Sequence, residues 1–398
     1  YGGGGSAPPG ARAETPAASR SYAFWPQFPD EPRIQYVASY TSSEDVAPVQ
    51  MTGLEKLVFG EESAKPALIQ KPYGVAARDG KIYVTDMRSK ALVVLDLRKK
   101  QTRLVGVSGF NQLEHPVAVA VAGDGMIYVA DNARDTIFVF DAQERYSTVF
   151  GFPGFKPVGL AIHGERLYVA DLKSQVVIIM DRLTGERLGE IGSVGDEDGQ
   201  FRLPLGVATD ADGNVLVMDM MRCRLQKFSP EGKLLSATGQ LGDFAGAFAR
   251  PKHLAVDADG IVYVVDASFQ NVQMFDRENR LLMHFGASGN FPGSMDLPAG
   301  IAVTSDGLDL FKDKIHPGFE AKRLVVVSNQ FGPHRVSIYA MGQVRAGYTA
   351  KDLASASVAV DPGVGVPSAE DLKLQTPGGI EHVKANLTSH RASPSGVD

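Results

Sequence analysis

Leu203-Pro204-Leu205-Gly206-Val207-Ala208, then Asp212-Gly213-Asn214, then Leu216-Val217-Met218-Asp219: this short unit recurs along the chain. Five further openings share its form: Lys71-Pro72-Tyr73-Gly74-Val75-Ala76, His115-Pro116-Val117-Ala118-Val119-Ala120, Lys156-Pro157-Val158-Gly159-Leu160-Ala161, Arg250-Pro251-Lys252-His253-Leu254-Ala255 and Leu297-Pro298-Ala299-Gly300-Ile301-Ala302. Their prolines are spaced 44, 41, 47, 47 and 47 residues apart. A fixed period of this size outranks every other sequence signal, because each copy is one supersecondary unit.

Each opening leads through a Gly turn into a run ending in aspartate. These are Tyr83-Val84-Thr85-Asp86, Tyr128-Val129-Ala130-Asp131, Tyr168-Val169-Ala170-Asp171, Leu216-Val217-Met218-Asp219 and Tyr263-Val264-Val265-Asp266. A polar loop and a third run follow, such as Ile137-Phe138-Val139-Phe140-Asp141. Short β-branched and aromatic runs separated by Gly and Asp turns, without helical periodicity, match a four-stranded propeller blade. The P-x-G-[IVL]-A opening, the Y-V-x-D strand and the [VI]-x-x-F-D strand resemble NHL repeats. They cover residues 72 to about 340, and the resemblance implies an all-β, six-bladed NHL-type β-propeller.

Fourth strands are predicted over residues 102–105, 147–150, 188–191, 234–238 and 281–285. The last repeat has no equally clear fourth strand. An orphan run, Ile34-Gln35-Tyr36-Val37-Ala38-Ser39-Tyr40, precedes the first repeat. It is expected to pair into the last blade and close the ring, hiding two sheet edges that would otherwise invite aggregation. The propeller is therefore placed at 33–342. A Gly/Pro/Ala-rich extension occupies 1–32, and an extended tail with few bulky apolar residues occupies 343–398.

The 398 residues are 44% hydrophobic, and no run approaches the ~18 apolar residues that span a bilayer. Tyr1 to Ser6 reads as a processed or tagged end, compatible with prior removal of a signal peptide. Tyr-Gly-Gly-Gly-Gly-Ser-Ala-Pro-Pro-Gly resembles the flexible stretch behind the lipidated cysteine of bacterial lipoproteins, so any membrane contact is expected through an anchor outside this chain. The single cysteine, Cys223, excludes an internal disulfide, a Cys-rich zinc site and a C-x-x-C-H haem attachment.

Recurrent Asp86, Asp131, Asp171, Asp219 and Asp266 invite a catalytic reading. Chemistry needs groups with distinct roles, however, and an equivalent carboxylate in every blade is more simply a turn device accepting loop N–H bonds. The Asp210-x-Asp212-Gly213 and Asp257-x-Asp259-Gly260 pairs lack the remaining oxygen ligands of a calcium loop and read as hairpin turns. Amidating lyases among NHL-like propellers hold zinc through histidines on several inner strands. Here only His253 replaces the usual inner-strand glycine, with His115 just outside the equivalent place, so no metal site or other cofactor is expected. Hydrolase, zinc-protease, P-loop and dinucleotide fingerprints are missing, so no motif specifies an enzyme.

In such a blade, the loop joining strands two and three shares a face with the crossing to the next blade. That face carries Arg88, Lys90, Arg134, Lys173, Arg222 and Arg224, while the opposite hairpins are rich in Asp and Glu, so a polarised molecule is expected. The net charge of −6 and one evident exposed aromatic on the loops, Phe269, argue against nucleic acid. Residues 308–322 form an insertion in the last repeat, with Phe311, Lys312, Lys314 and Phe319 as candidate contacts. The region from Phe24-Trp25-Pro26 to Val46 resembles the lead-in of exported bacterial NHL-repeat proteins, several of them lipoproteins encoded near multihaem cytochromes. The resulting expectation is a noncatalytic scaffold subunit of an extracytoplasmic assembly. Its partner would be another protein subunit, either a multihaem cytochrome or further copies of the chain, met through the basic face, the insertion and both tails. A lyase or hydrolase at the channel mouth around His253 and His115 is the alternative.

Overall fold

In the computed structural model, which describes residues 22–47, 68–109 and 111–358, six antiparallel sheets surround a central axis. Expectations for 1–21 and for the chain beyond 358 lie outside the described residues. The first blade runs outward from the axis through Pro72–Arg78, Lys81–Asp86, Ala91–Asp96 and Gln101–Val105. Its first hairpin turns at Asp79 and Gly80, both at positive φ (52° and 76°), the two-residue geometry that matches strand twist. Blades two to five repeat this order, beginning at Pro116, Pro157, Pro204 and Pro251.

The sixth blade closes the ring as the orphan run predicts. Ile34–Tyr40 pairs antiparallel with Val336–Val344, with Gln35 opposite Ala340 and Tyr40 opposite Val336. A fifth strand, Phe24–Trp25, covers the outer edge of that sheet. Residues 343–358 return to the same side, where Ser357 bridges Tyr22 and Leu353 of a short helix, Ala350–Ala354, is wholly buried.

The core lies between blades. Tyr128, Tyr168 and Tyr263 occupy equivalent second-strand places and are almost fully buried; the Tyr128 hydroxyl donates to the Arg182 carbonyl at 2.8 Å. In the four blades that carry glycine at the third place of P-x-G, the inner strands approach too closely for a side chain there, while Ala118 and His253 fill it in blades two and five. A Cβ on Gly74 would stand 2.8 Å from the Ala118 Cα and the Val117 carbonyl oxygen, and one on Gly206 would stand 2.7 Å from the Lys252 carbonyl oxygen.

The insertion differs from the expected contact loop. It forms a one-turn helix at Leu308–Phe311, and the following strand begins at Phe319 rather than at Leu324. Phe311 and Phe319 are buried in one cluster with Phe24, Val46 and Leu353, so they hold the chain's own flanks instead of a partner. The physical reason is the apolar edge left where Phe319–Asn329 outgrows its neighbour. Tyr22 and Phe24 fold over it, with Phe24 5.7 Å from Phe319 and Tyr22 4.9 Å from His316, ring to ring.

Candidate functional site

The recurrent aspartates are wholly buried clips. Asp131 accepts N–H bonds from Glu114 (2.6 Å) and His115 (3.0 Å) on the incoming crossing, and from Ala133 (3.1 Å) and Arg134 (3.2 Å) on the loop between strands two and three. Asp86 does the same for Gln70, Lys71, Arg88 and Ser89. Asp219 and Asp266 repeat the pattern, and Asp171 joins Lys156 to Ser174. A second backbone bond reinforces each clip: the residue after the acid donates to the carbonyl before the proline that opens the same blade, as in Met220 to Leu203 and Ala267 to Arg250. In blade six Asn329 takes the place of the acid, and its amide donates to the His334 carbonyl and the Ser337 hydroxyl. A carboxylate saturated by backbone N–H groups has no lone pair left for general-base chemistry.

This clip builds one face from two kinds of loop, and the expected basic residues on it divide into two sets. Arg222 donates to the carbonyls of Asp196, Glu197 and Gln200, and Arg224 forms a paired contact with Asp198 at 3.0–3.1 Å. Both pin the crossing into blade four. Arg134 reaches the Gln112 carbonyl and Glu114 and lies over the Phe138 ring. Arg88, Lys90 and Lys173 remain exposed, and Phe269 is half-buried. The opposite face is less acidic than its sequence because Arg182 bridges Asp124 and Glu165, Lys227 meets Asp210, and Arg323 meets Asp257 and Asp259. Lys312 and Lys314 are exposed there, on the insertion.

Large apolar side chains are exposed on the first face. Val107, Val194, Met221, Leu241, Phe244 and Phe331 all sit on crossings or strand-two-to-three loops, with Met221 66% and Leu241 73% exposed. On the opposite side Leu183 and Tyr348 are exposed, and Leu104, Tyr146, Val149, Leu188, Leu235 and Leu282 are exposed along the outer strands.

At the centre of that face, where the inner strands begin, lie the residues following the six prolines. Tyr73, Val117, Val158 and Leu205 pack in one cluster, with half-buried Met87, Leu172, Leu203 and Met220 against it. Blade five puts Lys252 at this position, only 4% exposed, with its Nζ 5.3 Å from the Tyr73 ring centroid. Burial, and then the Arg250 and Lys71 charges, push the Lys252 amine down to about 8 against an opposing pull from Asp266. His253 stands edge-on to Tyr73 at 5.4 Å, and its Nε2 is buried without a partner. Burial, helped by Lys252, pushes its imidazole down to about 4.

The two candidate histidines therefore do not form one site. His115 contacts the Asn132 side chain at 2.7 Å through Nδ1, while His253 faces Tyr73. No group of three His, Cys, Asp or Glu side chains among the described residues is arranged to hold a metal ion. The grouping that sequence reading missed is Lys71, Tyr73, Arg250, Lys252 and His253. Its signal was a lysine in a column otherwise filled by Tyr, Val, Val, Leu and Ala.

No family model matches the chain. The fold is similar to a structural genomics protein of unknown function from Bacteroides thetaiotaomicron, with 16% identity and a TM-score of 0.54 over 77% of this chain and 75% of that one. A streptogramin B lyase is similar at 14% identity and a TM-score of 0.49, over 70% of this chain and 95% of the lyase. A hydrazine synthase from Kuenenia stuttgartiensis stands at 14% and 0.48, over 72% and 99%. At such identities the likeness is one of fold. The chain is a six-bladed β-propeller.

Proposed function

We propose that this propeller is a noncatalytic binding subunit whose working surface is the face built from crossings and strand-two-to-three loops. One observation carries the reading: Val194, Met221, Leu241, Phe244 and Phe331 are exposed on that face beside Arg88, Lys90 and Lys173. Exposed apolar side chains gathered on one side of a rigid scaffold, among arginines and lysines, have the composition of a protein interface. The saturation of the buried aspartates supports the same reading, since it removes the most numerous candidates for catalysis.

The finer parts of the proposal rest on the sequence resemblance. They are an NHL-type propeller, exported from the cytoplasm, seated on a multihaem cytochrome or on further copies of itself. Arg88, Lys90 and Lys173 suit acidic side chains or haem propionates through charge-assisted hydrogen bonds. No helix among the described residues is long and apolar enough to cross a membrane.

The test is cross-linking and mass spectrometry of the chain isolated from its source, with Met221→Glu/Leu241→Glu as the disrupting variant. Links from these loops to another polypeptide, lost in a variant that still melts like the parent, are expected. A monomer whose links stay within the chain would overturn the proposal. A tail deletion belongs after residue 358, because cutting at 343 would also remove the buried Leu353.

A further inference from the structure

The vestibule at the channel mouth has two unlike sides. Blades one and five supply Lys71, Arg250 and Lys252, whose charges act on one another against a smaller opposing pull from Asp266, a carboxylate already engaged by the Ala249 and Arg250 N–H groups. Blades three and four, across the axis, supply Leu172, Leu203 and Met220, half-buried above the apolar plug. Nothing in the propeller's closure needs this arrangement. Val117, Val158, Leu205 and Ala299 fill the equivalent places in four other blades with apolar side chains. A buried amine without an anionic partner costs stability, and so does a buried imidazole nitrogen without a hydrogen bond. Both costs fall on neighbouring residues, Lys252 and His253, which meet the same ring, Tyr73. A buried cation that costs stability and lacks a matching anion at the end of the central axis is the mark of a binding site, because the missing partner is then a ligand.

We propose that this vestibule binds a carboxylate carrying an apolar body. Lys252, Arg250 and Lys71 hold the carboxylate, and the body rests on Leu172 and Met220. One cation is buried and two lie nearer solvent, which suits a single negative charge. A phosphate dianion would keep its hydration and gain nothing from the apolar side. His253, whose Nε2 is sealed from solvent, backs the site by standing edge-on against Tyr73. The same chemistry is presented by a free short-chain or aryl acid and by the C-terminal carboxylate of a polypeptide ending in an apolar residue. This inference goes beyond the protein-binding reading and stands or falls separately from it.

The experiment is calorimetric titration of the full chain at pH 7. The probes are hexanoate, hexanamide, inorganic phosphate, and a short peptide ending in leucine as free acid and as amide. Hexanoate or the peptide acid is expected to saturate one site, while the two amides and phosphate give no comparable binding. Lys252→Met should weaken that binding at least tenfold, and Arg250→Gln, a change at an exposed position, severalfold with the melting temperature unchanged. Tighter binding of the peptide acid assigns the source to a polypeptide end; tighter binding of hexanoate assigns it to a free acid. Absence of binding by either acid, equal binding of phosphate, or affinity unchanged in both variants would overturn the proposal.

Discussion

Replacing Asp131 by asparagine tests whether the buried acids are clips or chemistry. One carboxylate oxygen accepts the Glu114 N–H, the other accepts those of Ala133 and Arg134, and the His115 N–H lies 3.0 Å from both. An asparagine that keeps the oxygen facing Ala133 and Arg134 still accepts from His115 and turns its NH₂ toward Glu114, leaving that N–H without an acceptor. At ~1–3 kcal/mol for an orphaned group, the expected loss is about 2 kcal/mol. With an unfolding entropy of ~2 cal/mol/K per residue over roughly 300 residues, that corresponds to a drop in Tm of about 3 °C. Urea melts followed by circular dichroism, with a parallel thermal scan, measure it. Asp86→Asn and Asp219→Asn should lose similar amounts because their donors are equivalent. Asn329→Asp should also destabilise, since it sets a carboxylate against the His334 carbonyl. A D131N protein with parental midpoints would refute the clip, and the acids would return as candidates for catalysis.

Gly74→Ala should cost about 2–4 kcal/mol, because its Cβ meets backbone of the next blade at 2.8 Å, whereas Gly189→Ala, facing open space, should be nearly neutral in the same melts. Glu144 is buried between Lys81 (2.8 Å) and Arg103 (2.5 Å). Burial alone would raise its carboxyl, but the hydrogen bonds from Arg103 and Lys81 outweigh that and hold it below the ordinary value. Its contribution is therefore present above the ordinary glutamate range and lost as pH falls through the lowered folded value. Glu144→Gln should lose about 1–2 kcal/mol at pH 7, discounted because Arg103 is well exposed, and less in acid. Lys252→Met should raise stability at pH 7 by on the order of 2–3 kcal/mol. With the folded amine lowered to about 8, the unfolded chain holds more protons between there and 10.5, so the parent gains stability across that window and the advantage of the variant disappears above it. A destabilised K252M at pH 7 would show that the lysine is a structural member of the plug.

The repeat period, the P-x-G turns and the aspartate-ended strands determined the blade count, the strand order and the closing role of Ile34–Tyr40, because each is a local pattern of turn residues and alternating apolar runs. The structural role of the aspartates was legible for the same reason: a residue equivalent in every blade has an equivalent job. Where charges and rings end up is a different matter, since that depends on residues tens of positions apart. Arg222 and Arg224 look free along the chain, yet the folded crossing brings Asp196 and Asp198 beneath them. Phe311 and Phe319 read as exposed anchors until Phe24 and Leu353 fold over them. Only closure of the ring sets Lys252 of blade five against Tyr73 of blade one, 179 positions apart, and turns one odd residue in a column of apolar ones into the charged floor of a vestibule.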